Sequence, residues 1–233
     1  MFYCFGWFFV KKSSGVIFAS EYEKECAVSL LGFSPCLDAV IPEMLWRQRG
    51  GGEDASCDDI YISNALNVVY WGRLDHELKG IDRVLQYAIA NPVCYFHLMG
   101  PDYNGGKIKI LETISRKKIS NVIVHDESVW KNRNELQACA DYSILFSRWD
   151  GFPRALRESL SLNVPIIVSK ETNFEDVVSD FGCGFVVSAF DSSIDMTVKL
   201  ENHKAGCKPA TTHISVDSVV DMHLRFIDKV LGI

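Results

Sequence analysis

From Asn67 to Val187, short apolar runs rich in β-branched residues alternate with stretches whose apolar residues recur at helical spacing. Candidate strands are NVVYW (67–71), VCYFHLM (93–99), NVIV (121–124), YSILF (142–146), VPIIV (164–168) and GFVV (184–187). Between them, Ile81, Val84, Leu85 and Ala88 share one helical face, as do Ile108, Leu111 and Ile114. Runs this apolar, separated by helix-length crossovers, are the pattern of a parallel sheet covered by helices. The fold class expected over 63–190 is therefore α/β, a doubly wound parallel sheet with flanking helices.

Upstream, GVIFAS (15–20) reads as another strand, and EYEKECAVSLLG (21–32) as a helix stopped by Gly32. A third short run, AVIPEML, follows. The segment RQRGGGEDASCDD (47–59) has no apolar period and reads as a loop or linker. Its three glycines could cradle a phosphate, but no strand directly precedes them. At the far end, 191–233 reads as a helical segment in which Val219, Val220, His223, Phe226, Ile227 and Val230 form one apolar face that needs something to pack on.

With 233 residues, 48% of them hydrophobic, the chain can bury a sizeable core. A formal charge of −6 and a pI near 5.5 leave no broad basic surface, which argues against nucleic acid as a partner. The eight cysteines are scattered without close pairing, so they are expected to be reduced packing residues in a cytoplasmic protein. The opening MFYCFGWFFV runs only ten residues before Lys11, whereas a transmembrane helix needs about 20. It also lacks the features of a signal peptide. Two readings of it stay open: a buried first helix, or a stretch from inside a fold that contacts a subunit or a membrane surface peripherally.

In an open parallel sheet, ligands bind beyond the carboxyl ends of the strands. After the first strand comes GRLDHELKG (72–80), where Gly72 lets the chain turn away, Arg73 offers a planar fork for phosphate oxygens, and Lys79 precedes a helix. Two cations and a helix start suit a diphosphate. Each cation–phosphate contact has roughly 4 kcal/mol of Coulomb attraction before desolvation at about 4 Å and an effective dielectric near 20. Taken alone, the pair also reads as solvated surface charge. The second strand ends in MGPDYNGG (99–106), where Gly100 lets the backbone approach a ligand.

The stretch SRWDGFPRALRESL (147–160) is the most informative. Gly151 and Phe152 can present backbone N–H groups, and Pro153 is placed to open a helix. Asp150 on the loop and Glu158 on the helix, eight residues apart, can reach two ends of one elongated ligand and accept from pairs of hydroxyls. A capping Asp and a solvated helix Glu remain the plainer alternative.

The order G-R-L-x(4)-K-G, a strand ending in Gly, then S-R-W-D-G-F-P-x(4)-E-S-L followed by V-P-I-I-V, resembles the carboxyl-terminal domain of family-4 retaining glycosyltransferases, which have two Rossmann-like domains (the GT-B fold). The resemblance runs from about Gly15 to Val187. It implies that Arg73 and Lys79 hold the diphosphate of a nucleotide-sugar donor and Glu158 its ribose. Asp150 would then contact the transferred sugar, in a pocket lined by Gly151, Phe152 and Pro153, with Gly72 and Gly100 giving close backbone approach. No cofactor beyond the donor substrate is implied. It further makes 1–62 a remnant of the acceptor domain plus linker, 63–190 the donor-binding domain and 191–233 the closing helical segment.

Three departures from the family pattern stand out. Asp150 replaces the motif's first Glu, shortening its reach by about 1.5 Å, one C–C bond. Asn163 stands where a Gly before V-P is usual, and Pro101–Asp102 follows Gly100 where other small residues are common. Only fourteen residues precede Gly15, so most of the acceptor domain is expected to be missing. No H-E-x-x-H, D-x-D, P-loop, G-x-S-x-G or G-x-G-x-x-G occurs, which leaves metal, NTPase, hydrolase and dehydrogenase readings without local support.

The expected activity is transfer of a hexose-type unit to a saccharide or lipid-linked acceptor with retention. The alternative is a donor-binding half that works only with a separate acceptor-domain chain. A nucleotide-sugar epimerase of related architecture is a third class.

Overall fold

The computed structural model describes residues 10–32, 34–44, 60–126, 133–187 and 200–233. Its body is a six-stranded sheet built from β3 (Leu66–Trp71), β4 (Cys94–Met99), β5 (Val122–Val124), β6 (Tyr142–Leu145), β7 (Ile166–Val168) and β8 (Gly184–Val186). Every neighbouring pair is parallel, and the spatial order is β5-β4-β3-β6-β7-β8. The chain thus starts in the middle, winds outward to β5, then returns beside β3 and winds the other way, which is the doubly wound arrangement. All six expected strands form, five within the apolar run that announced it and β3 starting one residue earlier, at Leu66.

Crossovers are helical: α2 (Ile81–Ala90), α3 (Gly106–Lys117), α4 (Arg133–Cys139), α5 (Arg154–Ser161) and α6 (Glu175–Phe181). Val68, Tyr70, Phe96, Leu98, Ile144 and Ile166 are buried under them, because a parallel strand loses both faces to helices. In α2 the expected face, Ile81, Val84, Leu85 and Ala88, is wholly buried. In α3 the face differs: Ile108 and Leu111 are exposed, while Gly106 and Ile110 are buried and Ile114 packs on the core. Residues 106, 110 and 114 are the true i, i+4, i+8 stripe, and a glycine in it gives no hydrophobic signal.

Ahead of this sheet, β1 (Val16–Phe18) and β2 (Asp38–Val40) form a two-stranded parallel pair joined by α1 (Glu21–Leu31). Ser20 caps α1 by accepting from the Glu23 N–H, and Gly32 ends it in a left-handed turn. At the other end, α7 (Leu200–His213) packs on α5 and α6, and α8 (Val216–Leu231) returns to the β1–β2 unit. Val219 and Phe226 bury against Ile41, flanked by Leu37, Ala39, Met222 and Val230. Val220 and Ile227, expected on this face, are exposed, since the stripe follows 219, 222, 226 and 230.

Cys26, Cys36, Cys94, Cys183 and Cys207 are free, but Cys139 is disulfide-bonded, a departure from the expected all-reduced set. No cysteine lies near it in sequence, so spacing could not announce the bond. The apolar opening through Phe9 and the triple-glycine segment lie outside the described residues. No described helix is long and apolar enough to cross a membrane.

Candidate functional site

Because β3 and β6 are neighbours whose following segments diverge, the loops after them open a crevice at the carboxyl edge of the sheet. The two loops are stitched together. Arg148 N–H donates to the Leu78 carbonyl (2.9 Å), and the Arg148 guanidinium reaches the Glu77 carbonyl and both carboxylate oxygens of Asp82 (2.8 and 2.6 Å). Gly80 makes this approach feasible: its φ is +66°, and a Cβ there would lie 1.8 Å from the Phe146 carbonyl oxygen.

The loop after β4 runs alongside in the same way. Gly72 N–H donates to Met99 O (3.1 Å) and Leu74 N–H to Pro101 O (2.8 Å). Gly100, at φ +153°, passes so close to Gly72 that a Cβ would sit 1.7 Å from its carbonyl oxygen. Both glycines singled out from the sequence therefore meet each other at the rim.

At the centre, Lys79 Nζ lies 2.5 Å from Asp150 Oδ2, the two side chains being 19% and 15% exposed. Ser147 Oγ donates to the same carboxylate oxygen at 3.1 Å. Arg73 lies with its guanidinium carbon 4.5 Å from the centre of the Tyr103 ring, so the loop after β4 supplies the surface on which it rests. Beneath it, the Tyr70 hydroxyl donates to the Arg73 carbonyl at 2.6 Å. Burial, then the Asp75 and Asp150 carboxylates, push the Tyr70 phenol above its usual range, with Arg73 opposing them. Lys79 and Asp150 thus meet, and the Arg73 and Asp150 charges both act on the Tyr70 phenol.

Of the remaining predicted residues, Gly151 and Pro153 lie where the loop enters α5, and the Phe152 ring turns inward, stacked on Phe174 at 4.2 Å, leaving only its backbone for a ligand. Glu158 sits on α5 with its side chain 6% exposed and pairs with Arg154 Nε at 2.7 Å. Sequence reasoning missed Tyr70, Tyr103, Ser147 and, above all, Asn173. The Asn173 amide donates to the carbonyls of Asp150 and Gly151, and Asp150 N–H donates to Glu171 O (3.1 Å). The only sequence signal was an asparagine in the turn-like run KETN, a residue type that tolerates the positive φ of 58° found there.

His125, at the end of β5, is engaged by the buried His97 at 3.0 Å, and the other nitrogen of His97 meets Asn67 Oδ1 at 3.0 Å. Burial, reinforced by His125, pulls His97 down to about 3, so it is neutral at ordinary pH. Among the described residues no group of three His, Cys, Asp or Glu is gathered as a metal would require.

The arrangement is one for an elongated anion: two cations from one loop, an acid and a helix start from the next, and a backbone-lined rim between them. Residues 63–201, more than half of the chain, match the family model described as glycosyl transferases group 1. The chain belongs to that family. Among curated proteins no match to this group 1 member is found.

Solved structures with the same fold include sucrose-phosphate synthase from Thermosynechococcus elongatus, with TM-score 0.71 and 16% identity over 99% of this chain and 61% of that one. A glycosyltransferase from Rickettsia africae ESF-5 has TM-score 0.66 and 14% identity over 93% and 63% of the two chains. This group 1 chain thus spans about three fifths of the length of these structures. The sheet and its flanking helices are those of a GT-B-like α/β fold.

Proposed function

We propose that this chain binds a nucleoside-diphosphate sugar in the crevice between β3 and β6 and serves transfer of the sugar, with retention, to a saccharide or lipid-linked acceptor, in the manner of family-4 enzymes. The observation that carries the reading is the meeting of Lys79 with Asp150 at 2.5 Å, on loops 71 residues apart that the strand order makes neighbours. A diphosphate takes Arg73 and Lys79, and the cations offset the negative charge that builds on it as the sugar–oxygen bond breaks. Asp150 then accepts from sugar hydroxyls, and Glu158, one helix turn inside α5, faces the ribose. The donor is the only small molecule this chemistry needs.

A panel of nucleotide sugars screened by thermal shift tests the reading, since a ligand of the native state raises the melting temperature by mass action. One donor is expected to give a saturating shift that Arg73→Ala abolishes. A panel without any shift, or an Arg73→Ala protein that responds like the parent, sinks it.

A second reading, donor binding without turnover until a separate acceptor-domain chain joins, is favoured by β1 and β2, which among the described residues pair only with each other. Parallel strands ordinarily belong to larger sheets covered on both faces. Donor hydrolysis or transfer by the chain alone supports the first reading, and saturable binding with no turnover the second.

A further inference from the structure

The loop that presents Asp150 is held from behind by a chain of hydrogen bonds whose far end lies outside the family-matched region. Glu23 N–H donates to Ser20 Oγ (3.0 Å), and the Ser20 hydroxyl donates to Asn173 Oδ1 (2.9 Å). The Asn173 amide nitrogen donates to the carbonyls of Asp150 and of Gly151, the latter at 3.1 Å. The roles are forced. A hydroxyl has one proton, which Ser20 gives to Asn173 while its oxygen accepts from the Glu23 N–H in the first turn of α1. Two carbonyls can be met only by the amide's N–H groups, so its oxygen must face Ser20. Ser20 and Asn173 are both buried, at 2% and 3% exposure, so water does not compete.

This clamp has a geometric consequence. In a trans peptide the C=O of one residue and the N–H of the next point in opposite directions across a planar unit. With the carbonyls of Asp150 and Gly151 both drawn to Asn173, the N–H groups of Gly151 and Phe152 point away from it. Neither donates to a described residue. On Asn173's own side lies a cavity of about 380 Å³ shared with Ala19, Ser20 and Phe152.

Resting on the donor-site reading above, we infer that Asn173, oriented by Ser20, is the positioning residue for the sugar end of the donor. It aims the Gly151 and Phe152 N–H groups at hydroxyls of the transferred sugar while leaving the diphosphate contacts to Arg73 and Lys79. Two consecutive donors fixed in this way recognise a hydroxyl-bearing sugar and contribute little to a bare nucleoside diphosphate.

The test compares two ligand pairs by calorimetry on the full chain: uridine diphosphate against uridine diphosphate-glucose, and guanosine diphosphate against guanosine diphosphate-mannose. Asn173→Asp keeps the shape and the tolerance of positive φ but replaces the amide donor with a carboxylate that repels both carbonyls. Asn173→Gly accepts the same φ without a charge and serves if the first variant fails to fold. The parent is expected to bind one sugar conjugate more tightly than its parent diphosphate. In either variant that gain should fall by roughly tenfold, the worth of one or two hydrogen bonds, with affinity for the bare diphosphate within about twofold. Ser20→Ala should move the same ratio in the same direction by a smaller factor.

An unchanged ratio in the folded variants, an equal loss for both members of a pair, or a parent with no sugar-dependent gain overturns the assignment, while diphosphate binding by the parent keeps the donor site. A parent that binds none of the four ligands overturns the donor site itself.

Discussion

The two loops that face each other across the crevice are held by different means. The one after β3 is fixed by its own backbone: Gly72 and Leu74 donate to the loop after β4, Leu78 accepts from Arg148, and Gly80 passes against the end of β6 where no side chain fits. The one after β6 is fixed largely by side chains: Asn173 and Lys79 from other segments grip two of its carbonyls and its carboxylate, and its own Ser147 also donates to that carboxylate. A backbone-held loop presents cations at invariant positions. A side-chain-held loop can let go of one partner and take another. That division suits a site in which the diphosphate end is a fixed anchor and the sugar end must be read and released.

The largest expected effect tests the backbone-held side. Gly100→Val places a Cβ 1.7 Å from the Gly72 carbonyl in a conformation that valine rarely adopts, and is expected to cost about 3 kcal/mol or more in urea denaturation. A variant as stable as the parent would show that the rim is softer than its contacts indicate. Next, Lys79→Ala removes a mostly buried cation. Nucleoside-diphosphate affinity measured by calorimetry should fall roughly thirtyfold, about 2 kcal/mol.

On the side-chain-held loop the sign reverses. In the free protein Asp150 occupies Lys79, so Asp150→Asn is expected to tighten binding of a bare nucleoside diphosphate by about fivefold, near 1 kcal/mol, while slowing sugar transfer. Weaker binding would mean that the carboxylate does not compete with the ligand. Smallest of all, Arg148→Ala loses a partly exposed pair with Asp82, and the backbone stitch beneath it remains. A change in stability of about 0.5 kcal/mol or less is expected, and a larger one in a melting curve would transfer the credit for joining the loops from backbone to side chain.

The same contrast explains what could be seen in the sequence. Strands such as NVVYW and YSILF were legible because burial on both faces leaves them mostly apolar, with Asn67 and Ser143 as buried exceptions, and the meeting of Lys79 with Asp150 because the loops after parallel strands gather at one edge. Gly80 and Gly100 mark backbone contacts through their own identity. Asn173 and Ser20 carry no such mark, since their value lies in partners 22 and 153 residues away. For the same reason the Cys139 bond went unforeseen. The faces of α3 and α8 were displaced where a glycine or a methionine stood in the stripe in place of a β-branched or leucine residue.

The Ser20 proton links the small strand–helix unit to the wall that carries Asp150, beside the Glu21 N–H that donates to Asp176. A hydrogen bond of this kind is made or broken over a displacement of less than an ångström or so, far less than the travel of a domain. Movement of β1, α1 and β2 relative to the large sheet would therefore act on the sugar-facing wall as a catch that is fastened or open, and not as a spring.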